Sequence, residues 1–198
     1  MAHRAFVLGL SGIPGSGKTT LLDLLLRNYP RAEAVAYDRF DPGMTEEQIQ
    51  DWFRRNGDPN EFTLAELVGA LARLTQIRPE TEHQPLVLFE TSFGRAHRAS
   101  GAFIDFSVWI DTPLDIAMAR ANLCFLRNVE HNQSPTAAAD FIPWLTRYMQ
   151  DYPMLRRTYL AVSEKAAATA DLVIDGTLPA ETSAARIRKV LGQHGALA

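Results

Sequence analysis

The sequence predicts an α/β domain in which a mostly or wholly parallel five-stranded sheet lies between two layers of helices. Three observations carry this. An apolar segment at 4–10 (RAFVLGL), a glycine-rich turn at 11–17 and a leucine-striped segment at 18–28 (KTTLLDLLLRN) follow one another near the N-terminus as strand, loop and helix. Two later runs, PLVLFE at 85–90 and FSVWI at 106–110, are almost continuously apolar. They lack the alternation of a half-exposed strand and read as strands buried on both faces, which is how parallel sheets are written. Segments of helical spacing separate these runs, the alternation that winds a sheet with helices on both sides.

The other elements follow in order. A short second strand at 34–37 (AVAY) leads into the loop DRFDPG at 38–43. Thr45 with Gln48, and Thr63 with Glu66, have the spacing of capping boxes, in which the two side chains satisfy the first free amides of a helix. They predict two helices within 45–78, parted by the turn-rich NGDPN at 56–60. Thr112 and Pro113 open a helix to about Arg127, because proline suits a first helical turn. After the polar stretch 128–134 a helical segment, 135–170, is expected to break near Pro153. A last strand at 171–174 and a last helix at 179–191 complete the pattern.

Composition narrows the function classes. The chain has 198 residues and 22.0 kDa, enough for one domain with a proper core, and its 46% hydrophobic and 22% charged content is ordinary for a globular protein. Twenty Lys and Arg against 23 Asp and Glu leave a net charge of −3, so no global basic field points to nucleic acid or to an anionic membrane. One cysteine, Cys124, excludes an internal disulfide framework and suits a reducing compartment, so the expected localisation is cytoplasmic. No apolar run approaches the ~20 residues of a membrane span. The histidines His3, His83, His97, His131 and His194 have no paired metal-ligand spacing.

The strongest motif is the first turn. Gly12, Ile13, Pro14, Gly15, Ser16, Gly17, Lys18 and Thr19 satisfy the phosphate-loop pattern GxxxxGK followed by Ser or Thr, between a strand and a helix as that pattern requires; Thr20 continues it. Glycines let the backbone turn its N–H groups inward around a phosphate, and the helix that follows presents its positive end to the same anion. Lys18 is placed to reach the β and γ phosphates, and the Thr19 hydroxyl to meet Mg2+. The predicted fold is therefore the P-loop NTPase fold, and the predicted cofactors are ATP and Mg2+. An NKxD base-reading element and a DxxG switch are missing, which removes the GTPase class. The strand that would end in a metal-binding Asp in a motor ATPase ends here in Glu90. A small-molecule or nucleotide kinase remains, with one alternative: a binding or regulatory ATPase that has no small-molecule acceptor.

Several motifs in order resemble the uridine kinase family and its relatives, which include nicotinamide riboside kinase and phosphoribulokinase. They are GIPGSGKTT, AYDRFDP, PNEF, LVLFETSF, WIDTPLDIAMAR and the stretch from RYMQDYPMLRRTYL to ADLVIDG. The resemblance covers most of the chain. It implies that Asp38 is the general base for the acceptor hydroxyl, with Asp41 as the alternative. It implies that Glu90 contacts a magnesium-bound water and that Arg120 is a lid arginine holding phosphate oxygens. Three departures stand out. Thr91 replaces the family's glycine after the acid, Ala121 replaces a second lid arginine, and Gly57 falls where an aspartate meets the ribose hydroxyls, unless Asp58 has taken that work. Arg127, seven residues after Arg120 on the same helical face, is a candidate substitute, with a solvated helix charge as the alternative. Arg95 and Arg98, with His97 between them, follow the Glu90 strand; two guanidinium groups there would suit an acidic or phosphorylated acceptor, and a solvated loop explains them equally. Trp52 and Phe53 either stack on a substrate ring or pack in the core.

The expected protein is thus a single kinase domain over 1–198, with helices at 45–78 covering the acceptor and a lid at about 120–134. Its partner would be a small-molecule phosphate acceptor, a nucleoside, riboside, sugar or related alcohol, with neither nucleic acid nor membrane involved.

Overall fold

The computed structural model describes residues 4–76, 84–132 and 137–193. Residues 77–78 of the expected acceptor cover, 133–134 of the expected lid, and His3, His83 and His194 lie outside the described residues.

Five strands, β1 (Phe6–Ser11), β2 (Glu33–Ala36), β3 (Leu86–Thr91), β4 (Phe106–Asp111) and β5 (Leu172–Asp175), form one sheet in the order β2-β3-β1-β4-β5, and every pairing is parallel. β1 and β3 are buried along their whole length, as their unbroken apolar sequences required. Their register sets Leu10 beside Glu90 and Ser11 beside Thr91. The chain leaves β1 toward one edge of the sheet and leaves β3 toward the other, so a crevice opens at the carboxyl ends of these two strands. Ligands of doubly wound sheets bind at such a point.

The helices are α1 (Lys18–Asn28), α2 (Glu46–Arg55), α3 (Ala65–Leu74), the short α4 (Arg98–Gly101), α5 (Leu114–Asn132), α6 (Ala137–Ala168) and α7 (Ala180–Gln193). Side chains of β1 alternate between two apolar cores. Phe6, Leu8 and Leu10 pack with Leu22, Leu25, Ile187 and Leu191 of α1 and α7, while Val7 joins Trp52, Leu67 and Leu71 of α2 and α3. Each such fully buried leucine contributes about 1.5–3 kcal/mol over an exposed one.

Two local expectations fail for physical reasons. The Thr45–Gln48 capping box forms, but Thr63 caps nothing: α3 begins after Leu64, which is fully buried in a left-handed conformation (φ 43°). Burial of the leucine pulls the helix start past the threonine. A capping box forms instead at Asp58 and Glu61, around the 3-10 turn Pro59–Glu61. The expected break near Pro153 is absent, since α6 runs through both Pro143 and Pro153. α5 also continues past Arg127 to Asn132, so the residues expected to form a lid are the second half of a helix.

Candidate active site

The phosphate loop occupies the end of β1 as its sequence required. Gly15 (φ 79°) and Gly17 (φ 98°) adopt left-handed conformations that side chains resist, and a Cβ on Gly15 would fall 2.0 Å from the Ala117 carbonyl oxygen. Lys18, at the start of α1, is buried and donates to the Ile13 carbonyl at 3.1 Å across the loop. Burial pushes its pKa below the ordinary lysine value, and the negative charges of Glu90 and Asp38 oppose that shift. Thr19 donates its hydroxyl to Glu90 Oε1 at 2.8 Å. Glu90 itself is buried at the end of β3.

The loop fits a bound phosphate and its metal. The Ser16 hydroxyl is buried and has no hydrogen-bond partner among the described residues, although such groups nearly always find one. It lies over Gly12, where a Cβ would come within 2.4 Å of it. A hydroxyl donor, an ammonium and a glycine-lined cradle suit the oxygens of a phosphate, while Thr19 and Glu90 form the oxygen pair that a hard divalent cation takes.

Among the cavities that border this loop, three concern the site. The largest, about 700 Å³, is lined by Pro14–Gly15, Gly17–Thr20, Asp38, Glu90, Arg120 and Arg127, with Phe125, Trp144 and Tyr148 on its far side. A second, about 410 Å³, lies between the loop and the turn after β5, and Ser16, Thr20, Arg120 and Gly176 contribute to it. Arg120 thus borders both, and its guanidinium donates to the Gly176 carbonyl at 2.8 Å. The third, about 330 Å³, is walled by α2, the 37–42 loop and α6. Asp38, Pro14 and Tyr159 line both the first and the third. Burial raises the pKa of Tyr159 well above the ordinary phenol value; for Tyr37 burial is the larger cause and the charge of Asp38 adds to it. Both phenols therefore stay protonated.

The structure brings Lys18, Thr19, Asp38, Glu90, Arg120 and Arg127 to one cleft. It places others elsewhere. Arg95, expected near an acceptor, donates to the carbonyls of Thr169 (2.9 Å) and Asp105 (3.1 Å) and pairs with Asp171 at 2.7 Å, fastening the turn after β3 to the approaches of β4 and β5. Arg98 donates from its backbone N–H and from Nε to Asn60 Oδ1 at 2.8 and 3.3 Å. Neither lines any of the three cavities. His97 is buried, with Ser100 and the Phe62 carbonyl on its two ring nitrogens. Asp41 accepts from the Gly43 amide at 2.7 Å and shapes the loop, without reaching a cavity.

Gly57 has a steric explanation: a Cβ there would sit 2.3 Å from Trp52 Cδ1. Asp58 lines none of the three cavities, and its Oδ1 accepts from the backbone and side-chain amides of Asn60 at 2.9 and 2.6 Å, which hold its pKa below the usual carboxylate value. The aromatic wall of Phe125, Trp144, Tyr148 and Tyr159 escaped sequence reasoning. Its signal was the recurrence of aromatics at 141, 144, 148, 152 and 159, spaced for one helical face.

No protein-family model and no curated protein matches the sequence. Solved structures do match. The shikimate kinase of Acinetobacter baumannii, determined in complex with shikimate, aligns over 96% of this chain and 94% of its own at 16% identity, with a TM-score of 0.50. A sugar kinase from a Janibacter species aligns over 95% of each chain at 15% identity, also with a TM-score of 0.50. The likeness is one of architecture, and the all-parallel five-stranded sheet with helices on both faces is the α/β fold of P-loop kinases.

Proposed function

We propose that the protein is an ATP- and Mg2+-dependent phosphotransferase that phosphorylates a hydroxyl group of a small molecule, as the resemblance to uridine kinase relatives implies. The observation that carries this reading is the position of Asp38, a lining residue of both the phosphate-loop cleft and the cavity behind it. A carboxylate on that boundary is where a base must stand to take the proton of an alcohol held in one space and aimed at a phosphoryl group held in the other. A regulatory ATPase has no need of the second space.

In this reading the loop backbone, Ser16 and Lys18 hold the β and γ phosphates, and Arg120 steadies the transferring group from the α5 side. Thr19 and Glu90 hold the Mg2+ ion, which supplies charge neutralisation at the phosphate oxygens. Asp38 orients the acceptor hydroxyl and accepts its proton as the oxygen bonds to the γ phosphorus; the bond from that phosphorus to the β–γ bridging oxygen breaks, and ADP keeps the electron pair. The cavity of about 410 Å³ beside Gly176 suits the nucleoside end of ATP. Catalysis of this kind is chiefly positioning and charge stabilisation, so the scaffold that fixes these side chains does most of the work.

The test is the variant Asp38→Asn. Acceptor-dependent ADP release should fall by about 10²–10⁴-fold while ATP affinity changes little, because the residue is exposed at the cleft rather than part of the phosphate loop. Turnover that survives, or ADP release indifferent to any acceptor, would reject the assignment.

A further inference from the structure

The cavity behind Asp38 has a chemical character of its own. Its walls are aromatic and aliphatic: Tyr37, Phe40, Ile49, Trp52, Phe93 and Val162 stand for the whole surface. The polar groups are few. Besides Asp38 and the hydroxyls of Tyr37 and Tyr159 there are Ser92 and Thr158, and Thr158 already donates to the Phe53 carbonyl at 3.3 Å. Among the described residues no Lys, Arg or His lines it. An acceptor carrying a carboxylate or phosphate would enter without a counter-charge and face the carboxylate of Asp38, the situation in which burial of a charge is most costly. A polyol fares little better, since only the hydroxyls of Tyr37, Tyr159 and Ser92 could replace the water that its further hydroxyls would lose.

The surrounding loops exclude the obvious remedies. Asp58, the only acid beside Gly57 in the turn after α2, is occupied with Asn60. Trp52 is held over Gly57 by the bond from its indole N–H to the Asp58 carbonyl at 2.9 Å, so the indole takes the space that a diol-binding aspartate would need. Arg95 and Arg98 are committed elsewhere. Trp52 meets Phe93 edge-on and Phe62 stacks on it, at centroid separations of 6.1 and 5.5 Å, and together they make an apolar floor of the kind that accepts a flat ring.

We infer that this cavity binds a neutral alcohol whose body is an apolar or aromatic ring, with its hydroxyl directed at Asp38 and, resting on the phosphotransferase reading above, that this ligand class is the phosphate acceptor. At about 330 Å³ the cavity is at the small end of ligand sites, which run from ~300 to 1,000 Å³, so a one- or two-ring compound fills it. The transfer balances as written for the general reaction: the ring alcohol loses its hydroxyl proton to Asp38 and gains the phosphoryl group, and ADP departs.

The full chain, loaded with ATP and Mg2+, is titrated with 2-phenylethanol, ribose and shikimate by ligand-observed NMR, and ADP release is followed in parallel. Binding of 2-phenylethanol should be saturable and at least tenfold tighter than that of ribose or shikimate. In the variant Ile49→Trp, which fills the cavity, this binding should weaken at least tenfold while ATP still binds. Ribose or shikimate binding as tightly as the ring alcohol, absence of saturable binding by the ring alcohol, or an unchanged affinity in an Ile49→Trp protein that binds ATP would each overturn the inference. If the variant does not fold, the comparison of the three probes on the native chain decides. Failure of the parent reading looks different: the ring alcohol binds as expected, yet no ring-bearing alcohol raises ADP release above the acceptor-free rate. Phosphorylation of ribose in preference to ring alcohols would instead leave the phosphotransferase standing and remove this ligand class.

Discussion

Thr19 donates its hydroxyl to Glu90 Oε1 across 2.8 Å, tying the first turn of α1 to the carboxyl end of β3. The bond joins two residues 71 positions apart at the opening between β1 and β3, and both are assigned to the same cation. The Thr19→Val variant should lose about tenfold of the Mg2+-dependent gain in ATP affinity and leave metal-free ATP binding nearly unchanged. Calorimetric titration of ATP with and without Mg2+ reads this directly. Combining Thr19→Val with Glu90→Ala should cost less than the sum of the two single changes, because each removes the same shared contact.

Lys18 gives a prediction with a sign in pH. Its folded-state pKa lies below the ordinary lysine value because burial outweighs the attraction of Glu90 and Asp38. The unfolded chain therefore holds a proton that the folded chain releases more readily, and stability rises with pH through the window below the ordinary value of 10.5. In Lys18→Met that slope should vanish. At neutral pH the nucleotide-free variant should be the more stable of the two, because the cost of burying the ammonium outweighs the attraction of Glu90 and Asp38. ATP should no longer stabilise it. Urea unfolding across pH, with and without ATP, measures all three effects.

Gly15 and Gly17 separate two kinds of strain. Both have positive φ, but a Cβ on Gly15 would collide with the Ala117 carbonyl oxygen, whereas nothing lies within 4 Å of a Cβ on Gly17. Gly17→Ala should cost about 1–3 kcal/mol from backbone conformation alone. Gly15→Ala adds the collision with the first turns of α5 and should cost more. Denaturant midpoints of the two variants rank them, and equal losses would refute the steric account.

Arg95 is predicted to be architectural. Arg95→Ala removes its contacts to Thr169, Asp105 and Asp171, and should lower stability by about 1–3 kcal/mol. The affinity for acceptor and the rate per folded molecule should stay within twofold. A selective rise in KM at unchanged stability would return Arg95 to the acceptor site.

Much of the fold is legible in the sequence, because the strongest signals are local and redundant. The bounds of α1 follow from the phosphate-loop pattern itself, and β1, β3 and β4 follow from apolar runs with no helical alternative of adequate length. What local pattern cannot convey is competition from tertiary packing. Thr63 and Glu66 have the right spacing for a cap, yet burial of Leu64 moves the helix start past Thr63. Pro153 is a helix breaker by its own chemistry, and the long packed helix α6 overrides it. The site divides the same way. Lys18, Thr19, Asp38 and Glu90 follow strands and are positioned by them, so their sequence positions already indicate the cleft. Arg95 was misplaced because its anionic partner, Asp171, is 76 residues away, a separation that leaves no trace in local pattern. The apolar cavity was equally invisible, since its walls come from α2, the 37–42 loop, the turn after β3 and α6.

The bond from Arg120 to the Gly176 carbonyl has a consequence for how strongly this arginine can grip a nucleotide. Before Arg120 can serve a phosphate it must surrender a partner it already has, so its recruitment is worth the difference between two hydrogen bonds. One of those is charge-assisted at both ends and the other at only one. The sign of that difference depends on how much negative charge lies in the cleft. With a triphosphate present, exchange is favoured. On the proposed phosphotransferase reading, once charge leaves with the product the carbonyl would become the better competitor for the arginine. An arginine with a standing alternative binds less tightly than an idle one, and it also releases more readily, a property that favours repeated turnover.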